Sequence, residues 1–438
     1  MDPLNYQTFR IGIADLNGQI RGKRLPTAQA GKLDSDGVRM PLSVLNVDIW
    51  GHDIEGSPLV FETGDPDGIL RPTDRGPMPL PWLATPSKTV PMTMFNEDGT
   101  PFLGDPRQAL GAVLDRFSAR GWTVMAATEM EFTLVDESGE TLVPPTDPRS
   151  GRRLMSGEIM GLDEIDAFDA FFTDVYEGAE AMGIPIQSMI SECGIGQFEV
   201  TLNHQSAMKA ADDALYFKQL LRGIARKHGV AATFMAKPYA GDAGNGMHVH
   251  FSVVDADGRN VFDNGGPDGT EILRQAVAGC LQAMRASTLI FAPHGPSYDR
   301  LESGNHAPTS VCWAYENRTS ALRIPGGAYG ARRIEHRLAG GDINPYLMLA
   351  AVLGAAIEGI DEELTPPDPI TGNAYDLDLP HLAEGWEAAI DLFASDPFIT
   401  RCLPKQLIDN MVMTKRQELR ELASIPKGDH WKTYLQRV

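Results

Sequence analysis

The sequence is poor in features that define several other classes of protein. Its four cysteines, Cys193, Cys280, Cys312 and Cys402, lie far apart and form no CxxC pair, so neither a zinc site nor a disulfide framework is indicated. Basic residues are also few, 38 against 59 acidic ones, which leaves a formal net charge of −21. Nucleic acids and anionic membranes bind basic surfaces, and we therefore expect neither as a partner.

Long hydrophobic runs are absent as well. The most apolar stretch, "YLMLAAVLGAAIEGI" (346–360), is shorter than the roughly 20 residues that a membrane span needs. It follows an Asn-Pro pair, which suits the capped start of a buried helix. The N-terminus lacks the basic and apolar pattern of a signal peptide. These features predict a soluble, cytoplasmic protein.

The 438 residues are enough for two domains. Residues 1–102 are rich in proline and glycine and contain short β-like runs such as "FRIGIAD" and "PSKTVPMTMF". Helical spacing begins with "DPRQALGAVLDRFSARG", a strand "WTVMAATEMEFTLVD" follows, and further helices are predicted near 164–182 and 211–228. We predict an α+β chain with a small β-rich domain over 1–102 and a large α+β domain over 103–438.

Two of the 10 histidines stand on alternate positions in "GDAGNGMHVHFSV". On a strand, His248 and His250 would face the same side. Taken alone, the pair also fits partly exposed histidines on an edge strand. Its meaning depends on which other side chains face the same space.

Glutamates repeat this alternation elsewhere. Glu129 and Glu131 stand two residues apart in "ATEMEFTLV", and a glycine-containing turn separates Glu192 from Glu199 in "SECGIGQFEV". Each pair could be a solvated strand face, yet glutamate is depleted in strands. If the four side chains converge, two carboxylates about 4 Å apart repel by roughly 4 kcal/mol at an effective dielectric near 20.

A further alternating segment, "ARRIEHRLAGG", places Arg333, Glu335 and Arg337 on one face. Divalent cations would relieve the repulsion among the glutamates, and oxygen ligands with an occasional imidazole suit Mg²⁺ or Mn²⁺. Arginines beside them would hold phosphates or a carboxylate. Carboxylates, metals and arginines together indicate a phosphoryl-transfer site.

At this point the chain resembles the glutamine synthetase family, over about residues 10–430. Five elements carry the resemblance in the family's order: "EMEF", "ECGIGQFEV", "AKPYAGDAGNGMHVHFS", "NRTSALRIP" and "RRIEHR". The resemblance implies a β-grasp domain at the N-terminus and a catalytic α+β domain with a curved antiparallel sheet. It also implies a homo-oligomer, commonly a dodecamer of two stacked hexamers with each site at a subunit interface.

The resemblance also implies roles for individual residues. The first metal would be held by Glu131, Glu192 and Glu199. The second metal, bridging the nucleotide phosphates, would be held by Glu129, His248 and Glu335. The ATP contacts would be His250, Ser252, Arg323 and Arg333. The glutamate substrate would be held by Gly244, Arg300 and Arg337, and the transferring phosphate by Arg318. In "GDPDGILRPTD", Asp67 would lie near the incoming amine in a neighbouring subunit's site.

The implied reaction has two steps. ATP phosphorylates the γ-carboxylate of glutamate, and an amine then displaces phosphate to form an amide. Metals and arginines stabilise the charge on the transferring phosphoryl group, and a lid excludes the water that would hydrolyse the intermediate.

The lid segment departs from the ammonia-using members, which typically read "PGYEAP" where this chain has "SGNHAP". The departure places His306 where those members have a glutamate that takes a proton from ammonium. Histidine could still act as a base. Alternatively, His306 could simply pack in the lid. We therefore expect a glutamate–amine ligase of the γ-glutamylpolyamine synthetase type. The alternatives are an ammonia-using glutamine synthetase, a γ-glutamylmethylamide synthetase and a catalytically silent family member. Tyr375, in "GNAYDL", is expected to be an ordinary loop residue.

Overall fold

The protein is a mixed α+β structure built around two β-sheets. The computed structural model describes residues 6–33, 35, 37–302 and 307–438. The six strands of the first sheet lie within residues 8–95, and the nine strands of the second lie within residues 123–336. Each sheet has its own apolar core, and the larger of the two cores also contains most of the helices.

The first sheet has the order β2-β1-β6-β4-β3, with the short β5 also pairing with β6. Its strands are β1 (Thr8–Ala14), β2 (Ile20–Pro26), β3 (Val38–Pro41), β4 (Asp67–Pro72), β5 (Met78–Pro79) and β6 (Lys88–Phe95). Side chains alternate between the two faces of β1. Phe9, Ile11 and Ile13 therefore share one face, which is buried in the smaller core. β1 and β6 run parallel, and the other pairs are antiparallel.

The second sheet has the order β13-β14-β15-β12-β7-β9-β8, with β10 and β11 pairing with the ends of β7. Its strands are β7 (Thr123–Val135), β8 (Ile186–Ser191), β9 (Gln197–Leu202), β10 (Gln205–Ser206), β11 (Ala231–Thr233), β12 (Met247–Val254), β13 (Trp313–Tyr315), β14 (Leu322–Ile324) and β15 (Ile334–His336). The predicted antiparallel pairing holds everywhere except at the edge, where β13 runs parallel to β14.

Eleven α-helices occur in the described part of the chain. They are α1 (Pro106–Ser118), α2 (Leu162–Ala167), α3 (Asp169–Met182), α4 (Ala207–Lys227), α5 (Glu271–Met284), α6 (Thr288–Phe291), α7 (Pro345–Asp361), α8 (Trp386–Ser395), α9 (Ile399–Cys402), α10 (Lys405–Leu422) and α11 (His430–Tyr434). The apolar stretch at 346–360 forms α7, a buried helix that packs against α1, α4 and α5. The Asn344 side chain caps it by accepting hydrogen bonds from the backbone N–H groups of Tyr346 and Leu347.

The α+β class and the sheet-based catalytic domain predicted from the sequence are confirmed. One helix differs: the segment predicted near 164–182 is interrupted at Phe168, so that α2 and α3 are separate helices. The helix predicted from 211 begins four residues earlier, at Ala207. The boundary between residues 102 and 103 stays a prediction. We find no bilayer-length apolar helix in the part of the chain that the structure describes.

Candidate active site

The candidate site is built on the long strand β7 near the middle of the second sheet. Side chains on a strand alternate between its faces. Met130 and Phe132 are completely buried in the larger core, so Glu129 and Glu131 point to the opposite face. The apolar residues therefore anchor the strand and leave two carboxylates facing outward, as the alternation in the sequence predicted.

Strand register brings the other predicted residues beside this pair. Glu131 lies opposite Glu199 on β9, and Glu129 lies opposite His248 on β12. On the far side of β12, His250 lies opposite Glu335 of β15. Four neighbouring strands thus carry one continuous row of carboxylates and imidazoles.

Glu192 reaches this row through the turn that joins β8 to β9. The Glu192 backbone N–H donates to the Gln197 carbonyl at 2.9 Å, and the Gln197 N–H donates to the Gly194 carbonyl at 3.0 Å. Gly196 has φ +67° within the turn, a conformation that glycine adopts without strain. The turn folds Glu192 back towards Glu199, as the sequence analysis required.

Three groups of metal-ligating side chains result, and within each group the ligand atoms lie within 4.8 Å of one another. The groups are Glu131/Glu192/Glu199, Glu129/Glu199/His248 and Glu129/His250/Glu335. The first is the set that the sequence analysis expected for one metal. The expected second set, Glu129/His248/Glu335, is divided between the other two groups, and the His248 Nδ1 atom lies 4.0 Å from the nearest Glu335 oxygen.

No lysine, arginine or histidine among the described residues forms an ion pair with the first group, Glu131/Glu192/Glu199, although Arg318 and Arg337 act on it from a greater distance. Burial and the negative charge of Glu129, Glu131 and Glu192 raise the pKa of Glu199 to about 9. Burial and the charge of Glu131 raise the pKa of Glu192 to about 7, although Arg318 acts in the opposite direction. These carboxylates cannot all be ionised at neutral pH unless a cation joins them.

The second part of the site is balanced by its own side chains. Burial would raise the pKa of Glu129, but hydrogen bonds with His248 and His250 hold this pKa well below its usual range. Glu335, only 1% exposed, accepts hydrogen bonds from Arg323 at 2.8 Å and from Arg337. Burial opposes ionisation there too, yet Arg337 and His248 hold the pKa of Glu335 at about 2.

Hydrogen bonds distinguish the two imidazoles. The Arg333 Nε–H donates to His250 Nδ1 at 3.2 Å, so His250 Nε2 carries the proton that it donates to Glu129 at 3.0 Å. His248 is different: its Nδ1 lies 3.4 Å from Glu129, and its buried Nε2 has no hydrogen-bond partner among the residues that the structure describes. A buried nitrogen lone pair beside unbalanced carboxylates fits a divalent cation.

Two glycines just before β12, Gly244 and Gly246, lie where other atoms approach the backbone too closely for a side chain. A Cβ at Gly244 would lie 2.4 Å from the Ala236 carbonyl oxygen, and a Cβ at Gly246 would lie 2.6 Å from Arg300 Nη2. The Arg300 side chain is buried and donates through Nη1 to the Leu338 carbonyl at 2.8 Å. A Cβ at Gly244 would also lie 3.0 Å from Arg300 Cγ, so Gly244 and Arg300, both expected to hold glutamate, lie together.

The remaining predicted residues lie in different places. Ser252 lies half-buried on β12, two positions beyond His250 on the same face. Arg318 is exposed on the loop between β13 and β14, near enough to Glu192 to lower its pKa. Asp67 begins β4 of the first sheet and is exposed; it belongs to none of the ligand groups formed by the described residues. His306 lies outside the described residues.

Two further residues support the candidate site: Gln197, to which the sequence analysis gave no role, and Tyr375, which it expected to be an ordinary loop residue. The Gln197 amide N–H donates to the Gly244 carbonyl at 2.9 Å and to Asn245 at 3.1 Å, and lies 3.5 Å from Glu131. Tyr375 donates its hydroxyl to the Ala307 carbonyl at 2.8 Å, directly after the "SGNH" segment. The available signal for Gln197 was its place at the end of the glycine-containing turn between Glu192 and Glu199. For Tyr375 the sequence contained no signal, because the contact spans 68 positions.

A sheet face that carries carboxylates, imidazoles and arginines in this arrangement is typical of enzymes that transfer phosphoryl groups with the help of metal ions. The chain belongs to the glutamine synthetase family: the family described as "Glutamine synthetase, catalytic domain" matches residues 103–434. Members of this family are ligases, and the use of ATP and divalent metal ions is typical of them.

Individual relatives differ in the amine that their names specify. The γ-glutamylputrescine synthetase of Escherichia coli (strain K12) is 36% identical over 383 residues, which cover 85% of this chain and 79% of the relative. The γ-glutamylethanolamide synthetase of Streptomyces coelicolor is 31% identical over 95% of this chain and 89% of its own length. The glutamine synthetase of Methanocaldococcus jannaschii is 29% identical, covering 94% and 92% of the two chains.

Structural comparison agrees with the sequence comparison. A solved structure described as a GmaS/ADP complex superposes with a TM-score of 0.85 at 25% identity, covering 98% of this chain and 97% of the other. The similarity therefore includes both sheets.

Proposed function

We propose that this protein is an ATP-dependent ligase that joins the γ-carboxylate of glutamate to a primary alkylamine or polyamine through γ-glutamyl phosphate. The observation that carries the proposal is the convergence of five glutamates and His248 on one sheet face, from four strands and the turn that carries Glu192, with arginines beside them. This arrangement supplies charge of both signs around a transferring phosphoryl group.

Each of the two parts of the site would hold one divalent ion. Glu131, Glu192 and Glu199 would hold one divalent ion, and Glu129 and His248 would hold a second beside Glu335, with Mg²⁺ or Mn²⁺ as the ions suited to oxygen-rich ligation. Bound there, the ions would neutralise the phosphates and the developing charge of the transfer. His250, Ser252, Arg323 and Arg333 would face the nucleotide.

Glutamate binding is assigned to the corner formed by Gly244, Arg300 and Arg337. Arg300 is buried, with one terminal nitrogen fixed on the Leu338 carbonyl, so its orientation is set before a carboxylate arrives. Arg337 is held by Glu335. Arg318, on an exposed loop near Glu192, would reach the transferring phosphate.

The choice of amine rests on the lid and on the relatives. The lid carries His306 where ammonia-using members have a glutamate, and an imidazole attracts an ammonium ion less strongly than a carboxylate does. Relatives that are 36% and 31% identical are named for putrescine and ethanolamine products. His306 would take the proton from the incoming amine. The alternative is an ammonia-using glutamine synthetase, and its support is the 29% identity to a relative that carries that name.

An amine panel tests the substrate. ADP release is measured with glutamate, ATP and Mg²⁺ in the presence of putrescine, spermidine, ethanolamine, methylamine or ammonium. We expect turnover with at least one alkylamine to exceed turnover with ammonium by about tenfold or more, which corresponds to roughly 1.4 kcal/mol. Equal or faster turnover with ammonium than with every alkylamine would replace the proposal by its alternative. A Glu129→Ala variant, which lacks a proposed metal ligand, measures the background.

We further propose that the active site is completed by a second copy of the chain, within a ring-shaped homo-oligomer. Asp67 supports this because it is exposed on the first sheet and belongs to none of the ligand groups that the described residues of its own chain form. Mixing a Glu129→Ala chain with an Asp67→Ala chain tests the idea. Activity regained on subunit exchange is expected, since some interfaces then combine two intact halves; an inactive mixture whose subunits are shown to exchange would contradict it.

A further inference from the structure

The hairpin formed by β1 and β2 carries two arginines that oppose each other. In the antiparallel register, Arg10 lies directly opposite Arg24, so both side chains leave the hairpin on the same face. This is the face opposite to Phe9 and Ile11, which are buried in the smaller core. Directly opposed residues have Cβ atoms about 4.5–5.5 Å apart, which keeps the two guanidinium groups within reach of one ligand.

Neither arginine has an acidic partner among the described residues. Arg24 donates through Nε to the Thr8 hydroxyl at 2.9 Å, and Arg10 makes no hydrogen bond or ion pair with any described residue. Like charges directly opposite each other destabilise a sheet. The chain has 59 acidic residues against 38 basic ones, so a basic pair that has no carboxylate partner in the described part of the chain stands out.

The pair opens onto a cavity of about 280 Å³ between the first sheet and α4. Besides the arginines, the cavity is lined by polar Thr89 and Gln219, by apolar Ile11, Ile20 and Leu80, by Gly22 and by Lys23. The Lys23 ammonium group donates to the Arg39 carbonyl at 2.6 Å. Gly12 keeps part of it open, because a Cβ there would lie 2.6 Å from Ile20. A concave space with a few polar groups above an apolar floor is typical of small-molecule sites.

We propose that this cavity binds a small anion with at least two negative charges, a phosphate group or a dicarboxylate, between Arg10 and Arg24. Planar guanidinium groups bind both chemistries in bidentate fashion, and two of them balance a dianion. The Thr89 hydroxyl and the Gln219 amide add hydrogen-bonding groups. Because Gln219 belongs to α4 and the arginines to the first sheet, the anion connects two separately cored parts of the molecule.

Thermal denaturation in EDTA and at low ionic strength tests the proposal, with inorganic phosphate and succinate as separate probes. For the native protein we expect one or both probes to raise the melting temperature by roughly 1–2 °C beyond an equal ionic strength of NaCl. Arg10→Gln should abolish this rise. Without a probe, the same variant should melt at or slightly above the native temperature, since it removes a repulsion; arginines that merely stabilise the hairpin would give a lower temperature.

Arg259→Gln, which alters an exposed arginine paired with Asp257, is the matched control and should retain the full anion response. An equal response in the native protein and in Arg10→Gln would overturn the proposal. Sedimentation velocity distinguishes another occupant: if Arg10→Gln changes the assembly state instead of the anion response, the arginines are neutralised by a second copy of the chain, and the small-anion site is wrong. Ligase activity without added anion should not change in the variant.

Discussion

The two halves of the candidate site use the same kind of residue and differ in how its charge is balanced. In the first half, Glu131, Glu192 and Glu199 face one another, and the pKa values of Glu192 and Glu199 rise to about 7 and about 9. In the second half, arginines and imidazoles surround Glu129 and Glu335, whose pKa values fall. The first half therefore needs an added cation to be fully charged, whereas the second is already balanced.

This difference suggests a division between binding and orientation. A group of carboxylates that repel one another gains the most when a metal ion joins them, so the first half is suited to hold an ion tightly. Glu335, fixed between two arginines, is suited to hold those arginines where phosphates and glutamate would lie. Four changes test the contrast, from the largest expected effect to the smallest.

Glu335→Gln should have the largest effect. It removes a buried negative charge that two arginines share, and breaking such a pair leaves buried charge without compensation, at a cost of about 3–5 kcal/mol. We expect a clearly lower melting temperature and a fall in kcat/KM of about 10²–10³-fold. Denaturant unfolding and steady-state kinetics measure the two effects. Native stability in this variant would show that the second half is not held by its internal ion pairs.

Glu129→Ala should reduce the response to metal. Mg²⁺ or Mn²⁺ at about a hundred times its dissociation constant stabilises a native protein by about 2.7 kcal/mol per site, so the native melting temperature should rise on addition. Glu129 belongs to two of the three ligand groups, and its loss should remove much of this rise. Glu271→Ala, on an exposed turn of α5, should leave the rise intact. If Glu129→Ala responds to metal as the native protein does, Glu129 is not a ligand.

The pH dependence of the metal-free protein tests the first half. The folded-state pKa of Glu199 lies near 9, above the ordinary 4.5, so between these values the folded state retains a proton that the unfolded state has lost. The stability associated with this proton is present below about pH 4.5 and is lost as the pH rises through about 9. In EDTA the melting temperature should fall from about pH 6 to about pH 9, and Glu199→Gln should flatten this fall. If the native protein and Glu199→Gln have the same dependence of melting temperature on pH, the contrast between the two halves is wrong.

Glu316→Gln should have the smallest effect. Glu316 binds the same guanidinium as Glu335, that of Arg323, at 3.3 Å, but its side chain is 58% exposed. Exposed ion pairs contribute about 0–1 kcal/mol, so the melting temperature should hardly change and kcat/KM should fall by less than about threefold. An effect as large as that of Glu335→Gln would show that burial does not decide which carboxylate holds Arg323.

Local sequence patterns predicted much of the site. Alternation placed Glu129 and Glu131 on one face of a strand, and the structure shows the strand with its buried partners opposite. Alternation could not show which histidine meets which carboxylate. That depends on the register of β12 against both β7 and β15, which is set by apolar residues on the far face of each strand. The regrouping of the expected second metal set around His248 and His250 follows from this register.

The sequence by itself determined the class of the fold, the residues that form the polar row and the capped, buried helix α7, because strand alternation, helix spacing and capping are local properties of the chain. Only the tertiary structure decided how charge is shared along that row. The pKa of a glutamate depends on burial and on neighbours from other strands. The pKa of Glu199 is therefore raised and that of Glu335 lowered, although both are glutamates on strands. The arginine pair on the β1–β2 hairpin also became visible only in three dimensions. The register that opposes Arg10 to Arg24, and the lack of an acidic partner for them within the described part of the chain, are properties of packing.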